Sequence, residues 1–253
     1  MTGVHHDRIA VRQSGSPSRR GARRRLLILP QAPHWIMTGI LLAAAVLALG
    51  FTVQSVPGVG ATELGLDQDL SRHHSALLTF AAMILNVVFG PVFGAAAILL
   101  IAVTVLLVRR ATVDAIAFGA LASSGWVASE FFKIIIPRGR PNPALLFDPL
   151  APETGSNSFP SGHVAFAVTL GFALYCLARG TRWSGLAAAT GVVLPPVVAW
   201  SRLYIGVHYA TDVAASFLAA AAALVLLTGL WNRFAARALQ CVPVQAVDRQ
   251  FLS

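Results

Sequence analysis

The chain has 253 residues, 56% of them apolar and only 11% charged, with a mean hydropathy of +0.70, which excludes an ordinary soluble domain and predicts a polytopic membrane protein. The formal charge of +9 does not point to nucleic acid, because much of the Lys and Arg excess falls between Arg8 and Arg25, ahead of the first apolar run, where it reads as a topogenic tail. Cys176 lies in an apolar stretch and Cys241 near the C-terminus, so neither a disulfide framework nor a Cys-based metal site is indicated.

In chain order, residues 1–30 are rich in Arg, Ser, Gly and Pro without helical periodicity and are expected to be a disordered basic cytoplasmic tail. A first span follows at 35–53, read as an uncleaved anchor because its apolar run exceeds that of a signal peptide. Residues 54–75 are mixed. The apolar piece 76–90 is interrupted by Asn86 and is too short to cross about 30 Å of hydrocarbon, so it is expected to be a short interfacial helix in the first outer loop. Five further crossings are expected at 92–108, 113–136, 164–177, 185–200 and 213–231, with a kink at Pro195-Pro196. The predicted fold is therefore all-α, a six-span bundle over 31–232, ending in a cytoplasmic tail at 233–253.

Charge placement tests that topology. With the N-terminus inside, six crossings leave only Arg72, Lys133, Arg138, Arg140 and Arg202 outside among the basic residues, so the positive-inside rule is met with few exceptions. The same count brings the end of the third span, the start of the fourth, the end of the fifth and the start of the sixth to one face. Those ends carry Lys133 with Arg140-Pro141, Pro160-Ser161-Gly162-His163, Ser201-Arg202, and His208 with Asp212.

These groups suit a phosphate. Phosphoryl transfer spreads negative charge over equatorial oxygens and is served by preorganised cations and N–H donors; Lys133, Arg140 and Arg202 supply the cations. Ser161 and Gly162 open a helix, where unpaired N–H groups and the helix dipole collect an anion. His208 and Asp212 stand four apart, so on a helix they share a face and the carboxylate can orient the imidazole. Glu130 is costly within a span unless paired, and Lys133 three residues on is its expected partner. Arg138 falls between the matched positions and reads as an interfacial anchor, Asp148 and Glu153 as solvated loop charges, and Asp114 as a favourable charge at a helix N-terminus. His5, His6, His73 and His74 fit no useful spacing.

The spacings K-x6-R-P, P-S-G-H and S-R-x5-H-x3-D over residues 60–230 resemble the signature of the type 2 phosphatidic acid phosphatase superfamily, which includes vanadium haloperoxidases. The resemblance implies an α-helical membrane phosphatase acting on phosphatidate, phosphatidylglycerol phosphate or a polyprenyl diphosphate. His208 would be the nucleophile that becomes a phosphohistidine, Asp212 its orienting carboxylate, and His163 the acid and base for leaving group and water. Neutral His208 and charged His163 at the start imply a bell-shaped pH profile. Neither metal nor cofactor is implied; the expected partners are a lipid substrate and the bilayer of the plasma membrane, with the site on the extracytoplasmic face and the loop 142–159 setting head-group choice. The competing readings are a non-catalytic lipid-binding or lipid-transport relative and a vanadate-dependent haloperoxidase.

Overall fold

The computed structural model describes residues 26, 28–151 and 153–235, and among these the chain is helical, with a single backbone bridge, Arg138 to Asn157, in place of any strand. Eight α-helices follow in order: α1 Trp35–Ser55, α2 Val59–Arg72, α3 Ala76–Val88, α4 Pro91–Arg109, α5 Thr112–Ile135, α6 Gly162–Ala178, α7 Ser184–Tyr204 and α8 Ala210–Leu230. Local sequence sets several boundaries. Ser75 caps α3 through the Leu78 amide, Pro91 opens α4 where its missing N–H is no loss, and α7 stays helical through Pro195 and Pro196.

Among the described residues, five helices are long and apolar enough to cross a membrane: α1, α4, α5, α7 and α8. Helix α6 has only 17 residues, a rise of about 26 Å, yet it occupies the centre of the bundle, packed on α5, α7 and α8. Its buried residues, among them Val164, Phe166, Thr169, Leu170 and Cys176, lie on every side of the helix, the pattern of an element surrounded by protein. Small residues permit this crowding: a Cβ on Gly171 would stand 2.8 Å from the Gly191 backbone of α7, and one on Gly125 of α5 would collide with the Ala165 carbonyl. With α6 as the sixth crossing, the bundle is the six-span fold expected. Side chains such as Leu99, Leu107 and Ile134 face outward from it, as a lipid-facing surface requires.

Two details differ from the sequence reading. Between the first two spans there are two short helices, α2 and α3, not one, because the acidic and polar residues of 59–72 also form a helix and give it a buried polar side at Asp67 and Ser71. The packed region also starts before residue 31. Leu26 and Leu29 are buried; the Leu26 amide donates to Asp114 of α5 (2.9 Å), and Trp231 Nε1 donates to the Leu26 carbonyl (3.1 Å). Asn232 accepts from the Leu29 amide and donates to its carbonyl, both at 2.9 Å. Residues 1–25 of the expected tail and 236–253 at the other end lie outside the described residues.

Candidate active site

The opposite end of the bundle gathers the motif residues. A narrow loop follows α5, in which the Ser158 amide donates to the Arg138 carbonyl (3.0 Å) and the Arg140 amide to the Gly155 carbonyl (3.1 Å). This pairing folds 138–140 against 155–158, so residues nearly twenty positions apart enter the site together. Ser129 of α5 then donates to the Pro160 carbonyl (3.1 Å), fixing the turn into α6.

His208 sits in the short link between α7 and α8, almost fully buried. Its Nδ1 is 3.6 Å from Asp212 Oδ2, too far for a direct hydrogen bond, and Ser158 bridges them. The Ser158 hydroxyl donates to Asp212 Oδ2 (2.5 Å), and its oxygen lies 3.4 Å from His208 Nδ1. That network assigns the proton to Nδ1 and leaves a lone pair on Nε2, toward which Arg140 Nη1 points from 3.5 Å. Burial pushes the His208 imidazole down to about 4; Asp212 opposes this, while Arg202 and Arg140 reinforce it. A neutral imidazole with its Nε2 unprotonated, set among arginines, is in the state that nucleophilic attack would require.

The cations converge on the same place. Arg202 is fully buried; it donates through Nη1 to Asn86 Oδ1 and through Nη2 to Glu153 (3.2 Å). Arg140 is held by Asn157 (3.0 Å), the Val207 carbonyl (3.1 Å) and Glu153 (2.7 Å). Lys133 pairs with Glu130 at 2.7 Å, as its spacing suggested, and its Nζ lies 3.7 Å from where a Gly162 Cβ would be. Ser161 and Gly162 stand at the N-terminus of α6, buried. Two donors in this cluster, Ser161 Oγ and Arg202 Nε, are buried without a hydrogen-bond partner among the described residues. Buried donors are seldom left so, and both point to an anion as the missing partner. The chemistry of this donor set suits a phosphate and not a metal cation.

His163, in the first turn of α6, donates Nε2–H to the Asn86 carbonyl (3.1 Å) and lies within electrostatic reach of Arg202 and His208. Its Nδ1 has no hydrogen-bond partner among the described residues.

Several contributors were read differently or passed over in the sequence. Glu153 is no solvated loop charge. Burial alone would raise its carboxyl, but Arg202 and Arg140 hold it below the usual range. Arg138 is not an interfacial anchor either: it is buried, 2.5 Å from both Glu63 and Asp212. His74, unassigned by spacing, is tied to Asp148 (2.9 Å) and the Tyr204 carbonyl (2.8 Å), joining the start of α3 to the end of α7. Asn86, read only as a break in an apolar run, holds both His163 and Arg202. Ser158 and Glu63 had no motif to announce them. For Ser158 the available signal was its place three residues before Ser161, in the turn that must close over the site.

Comparison with known proteins bears on the family and the fold. Residues 113–235 match the PAP2 superfamily. A putative undecaprenyl-diphosphatase of Escherichia coli (strain K12) is 39% identical over 67 residues, covering 26% of this chain and 31% of that protein. An undecaprenyl-diphosphatase of Sulfolobus acidocaldarius is 34% identical over 96 residues, covering 36% of this chain and 43% of that protein. The match thus spans less than half the length of these curated relatives. The crystal structure of a transmembrane PAP2 type phosphatidylglycerolphosphate phosphatase from Bacillus subtilis superposes with a TM-score of 0.66 at 22% identity, covering 78% of this chain and 97% of that one; at that identity the likeness is one of fold.

Proposed function

We propose, from the match of residues 113–235 to the PAP2 superfamily, that the chain is a membrane lipid phosphatase that removes a phosphomonoester or the terminal phosphate of a lipid diphosphate. The observation that carries this reading is that Arg202 Nε and Ser161 Oγ are buried without partners among the described residues, in the same cluster in which Arg140 Nη1 stands 3.5 Å from His208 Nε2.

In the proposed reaction the substrate phosphate sits between Lys133, Arg140, Arg202, the Ser161 hydroxyl and the first N–H groups of α6. His208 Nε2 attacks phosphorus: the N–P bond forms as the bond to the leaving oxygen breaks, and His163 delivers a proton to that oxygen. Asp212, acting through Ser158, steadies the positive charge that the His208 ring acquires. His163 then takes a proton from water, whose oxygen attacks phosphorus and releases inorganic phosphate with His208 restored. The positive charge the chemistry needs comes from three side chains and a helix terminus, so no metal enters the scheme.

Access follows from the fold. In this reading the site, at the ends of α5, α6, α7 and α8, stands level with the lipid head groups, so that a substrate keeps its tail in the bilayer. The distribution of Lys and Arg supports cytoplasmic termini and an extracytoplasmic site in the plasma membrane. Phosphate release from phosphatidate, phosphatidylglycerol phosphate and a polyprenyl diphosphate, with chelator present and with His208→Ala as control, tests the reading. Release by the wild type with loss of at least about 10³-fold in the variant is expected; no release from any of the three overturns it.

A further inference from the structure

We propose that Glu63 and Arg138 are positioning residues that act through Asp212 to set the basicity of His208. This rests on the reading of His208 as nucleophile and extends the reactive machinery to α2, a helix outside the three matched motifs.

The contacts form one continuous chain. Glu63 uses both carboxylate oxygens: Oε1 accepts the Thr211 amide (2.7 Å) and Oε2 accepts Arg138 Nη2 (2.5 Å). Arg138 Nη1 donates to Asp212 Oδ1 (2.5 Å) and to the Thr211 hydroxyl (2.7 Å), and its guanidinium lies 4.3 Å over the Tyr209 ring. Asp212 Oδ2 accepts from Ser158 (2.5 Å) and from the Tyr209 amide (3.0 Å), which brings the chain to His208. Glu63 and Arg138 are nearly as buried as Asp212, so their charges are weakly screened.

The arrangement does more than hold a loop. Arg138 draws the negative charge of Asp212 away from His208, and Glu63 partly cancels Arg138. Asp67, one turn along α2 from Glu63, is buried with both oxygens unpartnered among the described residues; burial, together with the charges of Asp212 and Glu63, pushes it up to about 8 against the pull of Arg138. It therefore keeps its proton at neutral pH, and the cluster carries two negative charges around one positive. The remaining charged or titratable groups that reach His208 and Asp212 are Arg202 from α7, His163 from α6, Tyr209 beside α8, and Arg140 and Glu153 from the loop.

The signs of the two effects are opposite, which a purely structural role would not produce. Removing the negative charge in Glu63→Gln leaves Arg138 uncompensated, disfavours the imidazolium and moves the His208 titration to lower pH. Removing the positive charge in Arg138→Met frees Asp212 to stabilise the imidazolium and moves it to higher pH, by the larger amount because Arg138 is nearer. Each shift should be about 0.5 to 1 pH unit, and Arg138→Lys should return the titration to near the wild-type value.

The test uses the full chain in detergent, with His208 followed by NMR of labelled histidine and the acid limb of kcat/KM measured in parallel. Shifts of opposite sign support the proposal; no shift, or shifts in one direction, overturn it. If Arg138→Met does not fold, the near-isosteric Glu63→Gln decides alone, a downward shift supporting the proposal and none overturning it. Because the NMR titration needs no turnover, a wild type inactive on every lipid would remove the phosphatase reading while the titration still decides the positioning role.

Discussion

The two polar ends of this bundle are built from similar groups and treat them differently. At one end Asp114, Trp231 and Asn232 hold the segment around Leu26 and Leu29 through hydrogen bonds to main-chain groups. At the other, Arg202, Arg140, Lys133 and Ser161 gather near the start of α6, two buried donors have no partner among the described residues, and a single carboxylate, Glu153, bridges two arginines. A structural end satisfies its polar groups from the chain itself; a binding end withholds some of that satisfaction for a ligand.

Substitutions that exchange these behaviours sharpen the contrast. The largest effect is expected from Arg202→Lys, which keeps the charge but loses the fork that can grip two phosphate oxygens; kcat should fall about 100-fold in a phosphate-release assay. Ser161→Ala removes one unpartnered donor without touching the fold and should lower kcat/KM by about 10-fold, with thermal stability unchanged or slightly raised because a buried orphan hydroxyl is gone. Equal activity in this variant would mean that the hydroxyl does not meet the phosphate. At the opposite end Asn232→Ala should leave kcat at the wild-type value while lowering stability by about 1 to 2 kcal/mol in a denaturation assay.

Acidity gives a subtler test. The free-enzyme acid limb, read from kcat/KM, should fall near pH 4, because burial and the neighbouring arginines depress His208 and the active form is the neutral one. Activity present above that value should be lost as pH drops through it. An acid limb centred near pH 6.5 would mean that His208 is better solvated than its burial implies.

Much of this site was legible in the sequence because its carriers violate local expectation. With the N-terminus taken as cytoplasmic, Lys133, Arg140 and Arg202 are exceptions to the positive-inside rule, and the span count brings them to the same end as Ser161, His163, His208 and Asp212. What could not be read is whatever depends on a long-range fold. The pairing of 138–140 with 155–158 decides that Glu153 meets two arginines and that Ser158 stands between His208 and Asp212; neither fact has a local signature. Arg138 and Arg140 are only two residues apart, about 7 Å of extended chain, yet one grips Asp212 and the other faces His208. Spacing marked Arg140 and passed over Arg138, although the structure gives each an end of the same pair. Glu63 was invisible because α2 has no hydropathy signal and its partners lie 75 and 148 positions away.

The central claim is that His208 Nε2 becomes bonded to phosphorus during turnover. Rapid acid-free quenching of the wild-type protein with a lipid substrate carrying labelled terminal phosphate, followed by peptide mapping, tests it directly. The account predicts label on the peptide containing His208, stable in base, lost in acid, and absent from His208→Asn. Turnover by the wild type with no label on that peptide, or label that persists in His208→Asn, would contradict it.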